Sequence, residues 1–374
     1  MARIDLGALA ANYSLAKRLA GHRNVIAVVK ADAYGHGAVR VARALGRAGC
    51  ERLAVARVGE AAELRDGAVA LPLLILGGVQ DAEEARAALA LGATPVVHHE
   101  GQLALLRDAA RRRGARATIH VEVDTGMHRL GVAPEQAAGF LANVAADPSL
   151  RLEGVFTHLA RADEADLGPS LEQLRALRRV LGEAARREVL PGMVHALNSA
   201  GLVAGEALAK ELPEAGAVRP GLMLYGVEPR PGTGARPLPL RPAMTLAARV
   251  VQLRDLRPGD AVGYGATWRA PAPRRVATLA IGYADGVPWS MANRGEVLLR
   301  GRRAPIVGRV SMDLLTVDAG DEPAAIGDEA IVFGDGLPVE EVAARAGTLP
   351  YELLTRVGAR VPRVTLEGET TTAV

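Results

Sequence analysis

Short apolar runs alternate with segments of helical period from residue 24 to about 226. The runs occupy 25–29, 52–56, 73–76, 95–97, 118–123, 152–156, 193–197 and 215–218. Between them lie helix-like segments such as 37–48, 81–91, 102–113, 134–146 and 170–187, rich in Ala, Leu, Arg and Glu. Apolar runs of this length between turn residues read as strands buried on both faces. Eight of them alternating with helices fit a (β/α)8 barrel of the TIM type. A doubly wound sheet would also alternate, but with fewer strands and a Gly-rich first turn, and no G-x-G-x-x-G follows the first run. After Gly226 the pattern changes. Residues 228–239 form a Pro/Gly-rich linker, followed by short alternating segments at 244–253, 275–281, 297–299, 306–310, 315–317 and 329–333. These predict a mainly β C-terminal domain that closes with a helix over 339–346 and a final strand. The expected division is 1–230 for the barrel and 231–374 for the β domain. The N-terminus is read as entering a mixed helix directly, with the residues up to about Ala10 as candidates to pack on the second domain.

Composition narrows the class. Hydrophobic residues make up 49% of 374, which suffices for a large core, yet no run is long and apolar enough to span a bilayer. Met1-Ala-Arg-Ile-Asp-Leu-Gly7 lacks the basic patch and apolar core of a signal peptide, so a cytoplasmic location is expected. The single cysteine, Cys50, excludes an intramolecular disulfide and a Cys-rich zinc site, and no metal is expected. Net charge is only +3. The densest basic run, Arg111-Arg-Arg113, ends a helical stretch, where cations suit the helix dipole. No aromatic residues or further basic clusters accompany it, so nucleic acid is not an expected partner.

Of 45 basic residues only three are lysines: Lys17, Lys30 and Lys210. Lys17 and Lys210 lie in helix-like segments. Lys30 ends the first apolar run and precedes Ala31-Asp-Ala-Tyr-Gly-His-Gly37. A lysine there either snorkels out of the strand end or loses hydration, drops its pKa and becomes able to condense with a carbonyl.

In a barrel the chemistry belongs at the C-terminal ends of the strands. Lys30 stands at the end of the first, with Tyr34 in the loop after it. The fifth leads into Asp124-Thr-Gly-Met-His-Arg-Leu-Gly131 and puts Arg129 on the rim. The sixth presents His158, the seventh ends at Asn198-Ser-Ala-Gly201, and the eighth at Arg219-Pro-Gly-Leu-Met-Leu-Tyr-Gly226. Ser199 and the Gly221–Leu222 backbone suit a phosphate held between the last two loops. A phosphate opposite a strand-end lysine points to pyridoxal 5′-phosphate.

Eight motifs then occur in order: Val28-Val-Lys-Ala-Asp-Ala-Tyr-Gly-His-Gly37, Asp124-Thr-Gly-Met-His-Arg-Leu-Gly131, Thr157-His-Leu159, Asn198-Ser-Ala200, Arg219-Pro-Gly221, Val262-Gly-Tyr-Gly-Ala-Thr-Trp268, Ile281-Gly-Tyr-Ala-Asp-Gly286 and Arg309-Val-Ser-Met-Asp313. The first is specific, and the series resembles the pyridoxal-phosphate-dependent alanine racemases along essentially the whole chain. The resemblance implies a homodimer that interconverts L- and D-alanine with two bases on opposite faces of the bound substrate. Lys30 resembles the lysine that binds the cofactor and serves as one base. Tyr264 resembles the other, reaching in from the partner subunit. Such a division is chemically required, because racemisation removes a proton from one face and returns it on the other. A tyrosine acts as a base only where its phenolate is favoured, and His158 with Arg219 resembles the network that does so. Arg219 by resemblance faces the cofactor's pyridine nitrogen. A guanidinium keeps its proton, so that nitrogen stays unprotonated, which weakens the electron sink and favours reprotonation over side reactions.

The remaining roles carry over singly. Tyr34, Ser199, Gly221, Leu222 and Tyr351 resemble the phosphate-binding set. Arg129 resembles the residue beside the cofactor's phenolic oxygen and the substrate carboxylate, and the Met312 N–H resembles the second carboxylate contact. Tyr283 and Tyr351 resemble a narrow entrance, with Asp313 beside them. Where several family members carry a carbamylated lysine near the Arg129 position, this chain has Glu122, expected to hold Arg129 by a charge-assisted hydrogen bond. Three alternatives stand beside this reading. A broad-specificity racemase acting on serine or basic amino acids shares the motifs, and a non-catalytic pyridoxal-phosphate-binding protein would share the barrel alone. A decarboxylase of the same barrel type is disfavoured by Arg219, and because Ser311-Met-Asp313 lacks the cysteine those enzymes place there. Peptidoglycan precursor supply and alanine catabolism are not distinguished by the sequence.

Overall fold

The computed structural model describes residues 1–234, 236–320 and 323–366. The chain begins with a strand, β1 (Ala2–Asp5), before the helix Leu6–Ala20, so the expected direct entry into a helix is off by one element. The cause is a four-residue alternation in which Ala2 and Ile4 are buried against the second domain. Asp5 then caps the helix, its carboxylate accepting from Ala8 N at 2.7 Å.

Eight parallel strands close into a barrel: β2 (Asn24–Val28), β3 (Arg52–Val55), β4 (Leu73–Ile75), β5 (Thr94–Val97), β6 (Ala117–Glu122), β7 (Leu150–Phe156), β8 (Met193–Asn198) and β9 (Ala217–Arg219). Pairing of β9 with β2, in the register Asn24↔Ala217 and Val25↔Val218, completes the ring. Helices cover the strands on the outside, so both strand faces are buried and the strands read as apolar runs. Asp81 accepts from Glu83 N and Glu84 N, each at 2.8 Å, at the start of the helix Ala82–Ala90. Left-handed Gly114 closes the helix Glu100–Arg113 just after its three terminal arginines.

The C-terminal domain is built on the long strand β10 (Met244–Leu256). After the two-residue pair β11 (Ala261–Val262) and β12 (Trp268–Arg269) come β13 (Arg274–Leu279), β14 (Glu296–Leu299), β15 (Arg302–Pro305), β16 (Leu315–Gly320), β17 (Glu329–Phe333) and β18 (Arg363–Leu366). β10 pairs antiparallel with β1, β13 and β17, and β1 pairs in parallel with β18. The N-terminal strand is therefore part of the C-terminal sheet. Residues 306–310, expected as a strand, are not one. Ile306 only bridges Val317, and Gly308 at φ +77° breaks the extended chain; the strand is β15 just before it. Buried Asn12 ties the parts together, donating to Leu224 O and Arg241 O at 3.1 and 2.8 Å and accepting from Arg241 N at 3.0 Å.

Candidate active site

Lys30 follows β2 at the C-terminal mouth of the barrel and opens a single turn of the wrong hand. Ala31, Asp32, Ala33 and Tyr34 have φ between 52° and 54° and ψ between 41° and 54°, a left-handed helical turn without a glycine. Such a conformation costs about 1–2 kcal/mol per residue. Hydrogen bonds around it offset the strain. Glu60 accepts from Ala31 N and Ala56 N, each at 2.6 Å, and Asp32 accepts from Ala38 N at 2.6 Å. Arg363 donates to Gly35 O at 2.9 Å and to Val357 O at 2.8 Å, joining the turn to β18. Burial lowers the Lys30 ammonium pKa, the Arg129 charge lowers it further, and Glu60 opposes both.

The turn sends Tyr34 inward, where its ring lies 4.6 Å from Tyr225 and 6.1 Å from Tyr351. Its phenol pKa is raised, first by burial and then by Tyr351. The hydroxyl stands over Gly221: a Cβ there would fall 2.6 Å from Tyr34 Oη. Ser199, first residue of the short helix Ser199–Val203, accepts from Gly221 N at 2.9 Å and Met223 N at 3.4 Å. Tyr34, Ser199, Gly221 and Leu222 thus line one small cradle, and Tyr351 packs at its edge.

Arg219 ends β9 and is only 3% exposed. Its guanidinium donates to Thr157 O at 2.8 Å and to His195 Nδ1 at 2.5 Å, and approaches His158 Nδ1 at 3.3 Å. Phe156 lies beneath it, 4.5 Å from ring centroid to Cζ. Among the described residues, no carboxylate is one of its hydrogen-bond partners. Burial pulls its pKa down to about 10 against the opposing field of the Glu122 carboxylate, which leaves it cationic at neutral pH. His158 is pushed down to about 3 by burial and then by Arg219, Arg129 and Lys30, so its ring is neutral. These four side chains therefore share one electrostatic environment.

Arg129 is exposed on the rim, in a loop held by Asp124, which accepts from Gly126 N and His128 N at 3.1 and 2.9 Å. The expected pairing of Glu122 with Arg129 is absent. Glu122 is buried at the end of β6, pointing into the barrel, and its Oε2 lies 3.2 Å from His98 Nδ1. The chain turns outward between 122 and 129, so the arginine reaches solvent while the carboxylate stays inside.

The other predicted residues stand on the C-terminal domain. Tyr264 sits between β11 and β12, is 71% exposed and has no hydroxyl partner among the described residues. Tyr283 and Met312 lie on adjoining loops, where Tyr283 N donates to Ser311 O and Ala284 N to Met312 O, each at 3.0 Å. Arg360 bridges Asp285 and Asp313, each at 2.8 Å. Tyr283, Trp289, Met312 and Leu314 are all substantially exposed on this domain. Among the described residues, no cluster is placed to hold a metal ion and no helix is long and apolar enough to cross a membrane.

Sequence reasoning passed over four polar residues beneath Arg219: His195, His120, Glu153 and Arg52. The available signal was a histidine in the middle of an apolar strand, once in Thr118-Ile-His-Val121 and once in Met193-Val-His-Ala196.

A family model described as the N-terminal domain of alanine racemase matches residues 4–229, and one described as its C-terminal domain matches 243–365. Among curated proteins, the alanine racemase of Syntrophobacter fumaroxidans is 42% identical over 363 residues, covering 95% of this chain and 94% of the relative. That of Desulforamulus reducens is 40% identical, covering 97% and 98%. Among solved structures, alanine racemase from Streptomyces lavendulae superposes with a TM-score of 0.92 at 36% identity, over 98% of this chain and 97% of that one. Alanine racemase from Bartonella henselae, solved with covalently bound pyridoxal phosphate, gives 0.87 at 32% identity, over 98% and 99%.

Proposed function

The chain belongs to the alanine racemase family, and we propose that it interconverts L- and D-alanine with pyridoxal 5′-phosphate seated in the barrel mouth. The residues present fit that cofactor. Tyr34 Oη, Ser199 Oγ and the Gly221 backbone converge there, so closely that a Cβ at 221 would fall 2.6 Å from the phenol oxygen. Arg219 is a buried cation with no carboxylate hydrogen-bonded to it among the described residues, facing a mouth that also holds Lys30 and Arg129. Tyr34, Ser199, the Gly221 and Leu222 N–H groups and Tyr351 would hold the phosphate, and Arg219 the ring nitrogen. When bound, the cofactor supplies an electron-withdrawing ring that stabilises negative charge at the substrate Cα.

The chain's own groups divide the rest of the work. Lys30 Nζ, its ammonium form disfavoured by burial and by Arg129, is able to anchor the cofactor and to take a proton from one face of Cα. Arg219 keeps its proton, so it favours a bare ring nitrogen and limits how far negative charge drains into the ring. His158 Nδ1 faces a guanidinium N–H and must be the accepting nitrogen, which leaves Nε2–H to donate. We assign that donor to the phenolic oxygen of Tyr264 of the partner subunit, whose phenolate it would favour. Arg129 and the Met312 N–H would hold the substrate carboxylate, with Tyr283, Tyr351 and Asp313 narrowing the entrance toward a small side chain. A homodimer is the assembly that supplies Tyr264 to the mouth. The apolar and aromatic side chains exposed on the same domain as Tyr264 support it, since exposed apolar surface favours a protein partner.

The observation that carries this reading is the shared environment of Lys30, Arg129, His158 and Arg219. The test is incubation with L-alanine in D2O, following chirality and Cα deuterium, with L-serine and L-lysine in parallel. D-alanine carrying solvent deuterium, with little product from the others, is expected. Comparable turnover of all three would replace it with a broad-specificity racemase. Exchange without inversion would remove Tyr264 from its role.

A further inference from the structure

Below Arg219 a line of hydrogen bonds runs through the barrel interior to its opposite end. Arg219 donates to His195 Nδ1 at 2.5 Å; His195 Nε2 meets His120 Nδ1 at 2.8 Å; His120 Nε2 meets Glu153 Oε2 at 3.0 Å. Arg52 closes the line with two bonds to the Glu153 carboxylate, at 2.5 and 3.1 Å. Both imidazoles are fully buried, and burial lowers both pKa values, so each ring carries one proton.

The direction of every bond is then fixed by chemistry. A guanidinium has no acceptor, so His195 Nδ1 must be bare and its proton must sit on Nε2. That proton occupies His120 Nδ1 as an acceptor, which puts the His120 proton on Nε2, aimed at the carboxylate. Glu153 can only accept, and its pKa is depressed first by the His120 bond and then by Arg52. Reversing any one link would set two donors or two acceptors against each other in a dry interior and leave buried polar groups unmet.

We infer that His195, His120, Glu153 and Arg52 form a one-way relay that fixes the Arg219 guanidinium, with Glu153 a positioning residue acting from the far end of the barrel. A carboxylate placed directly on Arg219 would hold it equally well but would cancel much of its positive field. Two neutral rings between the charges give the grip without laying a second carboxylate on the guanidinium, which already feels the field of Glu122. The Glu153 carboxylate also raises the basicity of the His120 ring against the lowering by burial, as a carboxylate does for histidines that bind metals. Local packing is built for this line: Gly154, in β7, admits the His120 ring, and a Cβ there would fall 2.5 Å from His120 Nδ1 and Cε1. Phe156 stacks on His195 at 4.6 Å while also lying under Arg219.

This inference rests on the reading that Arg219 faces the cofactor ring, so its test separates the two. In the holoenzyme, ¹⁵N spectra of labelled histidine should show His120 and His195 neutral and protonated on Nε2. A proton on His195 Nδ1 would overturn the relay at once. Glu153→Gln keeps an acceptor but can turn its amide N–H₂ toward His120, so it should admit the reversed tautomers. It should also shift the visible absorption band of the bound cofactor and lower kcat about tenfold, the scale on which outer partners of ligating histidines act. Glu153→Asp should restore part of each. If Glu153→Gln disturbs folding, His120→Phe cuts the line while leaving the Arg52–Glu153 pair in place, and the same band shift is expected. Arg219→Lys serves as the reference. A band moved by Arg219→Lys but by neither relay variant overturns the relay alone. A band indifferent to all three overturns the cofactor-facing reading and the relay's function with it.

Discussion

The two ends of the barrel handle charge in opposite ways. At the N-terminal end, charged groups are matched: Arg52 grips Glu153, and Arg107 bonds Asp147 at 2.5 Å. Arg116 there donates twice to Leu150 O. At the C-terminal mouth, Lys30 and Arg219 have no carboxylate bonded to them among the described residues, His158 is held neutral, and the backbone after Lys30 is left-handed. Matched charges at one end stabilise the fold. Unmatched donors at the other remain free for a ligand that brings its own negative charge. The contrast separates residues whose loss should cost activity from those whose loss should cost only stability.

The largest effects belong to the mouth. Lys30→Ala should remove covalently held cofactor and reduce racemisation by more than about 10⁴-fold, because it deletes an anchor as well as an acid–base group. Absorbance of the purified protein and a chirality assay read the two losses separately. Tyr264→Phe should leave the cofactor in place and cost about 10²–10⁴-fold. Mixing the two inactive variants under conditions that exchange subunits should bring activity back, since one site of each hybrid dimer then holds both Lys30 and Tyr264. Failure of the mixture, with exchange demonstrated, would break the assignment of Tyr264 to the partner.

A milder change sharpens the description of the cradle. Gly221→Ala puts a methyl 2.6 Å from Tyr34 Oη, closer than real contacts allow, and Tyr34 cannot retreat far because its ring packs on Tyr225. Cofactor retention on dialysis should weaken about 10- to 100-fold, equivalent to about 1.4–2.8 kcal/mol. Thermal stability of the cofactor-free chain should change little by comparison. Unaltered retention would move the phosphate elsewhere.

The same contrast explains what could be read from the chain. The barrel strands were legible because buried parallel strands are continuous apolar runs, and each of the eight expected runs overlaps an observed strand. The positions of Lys30, His158, Ser199 and Arg219 at or just past strand ends followed from those runs. The left-handed turn after Lys30 was not legible, because Ala31, Asp32, Ala33 and Tyr34 carry no glycine to announce positive φ. Its cause is tertiary, in the bonds from Glu60 and Arg363. The expected Glu122–Arg129 pair was carried over from a carbamylated lysine in relatives, and that resemblance says nothing of the outward turn that separates the two here; the nearer partner, His98, comes from the neighbouring strand end. His120 and His195 escaped notice because they lie 75 residues apart and meet only when the barrel closes.

The smallest expected effect lies at the N-terminal end and tests the other half of the comparison. Asp147 accepts from Ser149 Oγ and from Arg107 Nε, each at 2.5 Å, and from Ser149 N at 2.9 Å. These bonds, the Ser149 hydroxyl first, hold its pKa down to about 2, below the ordinary 3.8. A depressed carboxylate stabilises the fold where the unfolded chain is also ionised, which is above about pH 4. The contribution fades as pH falls toward 2, where the folded form takes up its proton as well. Asp147→Asn should therefore cost about 1–2 kcal/mol at pH 7, with the penalty shrinking steadily between about pH 4 and pH 2. Thermal midpoints of parent and variant across that range check the slope. Racemisation per folded, cofactor-loaded molecule should be unchanged, since among the described residues Asp147 bonds Arg107, Arg111 and Ser149 and no member of the relay or the mouth. A loss of turnover without a loss of stability would mean that the two ends are not separable in this way.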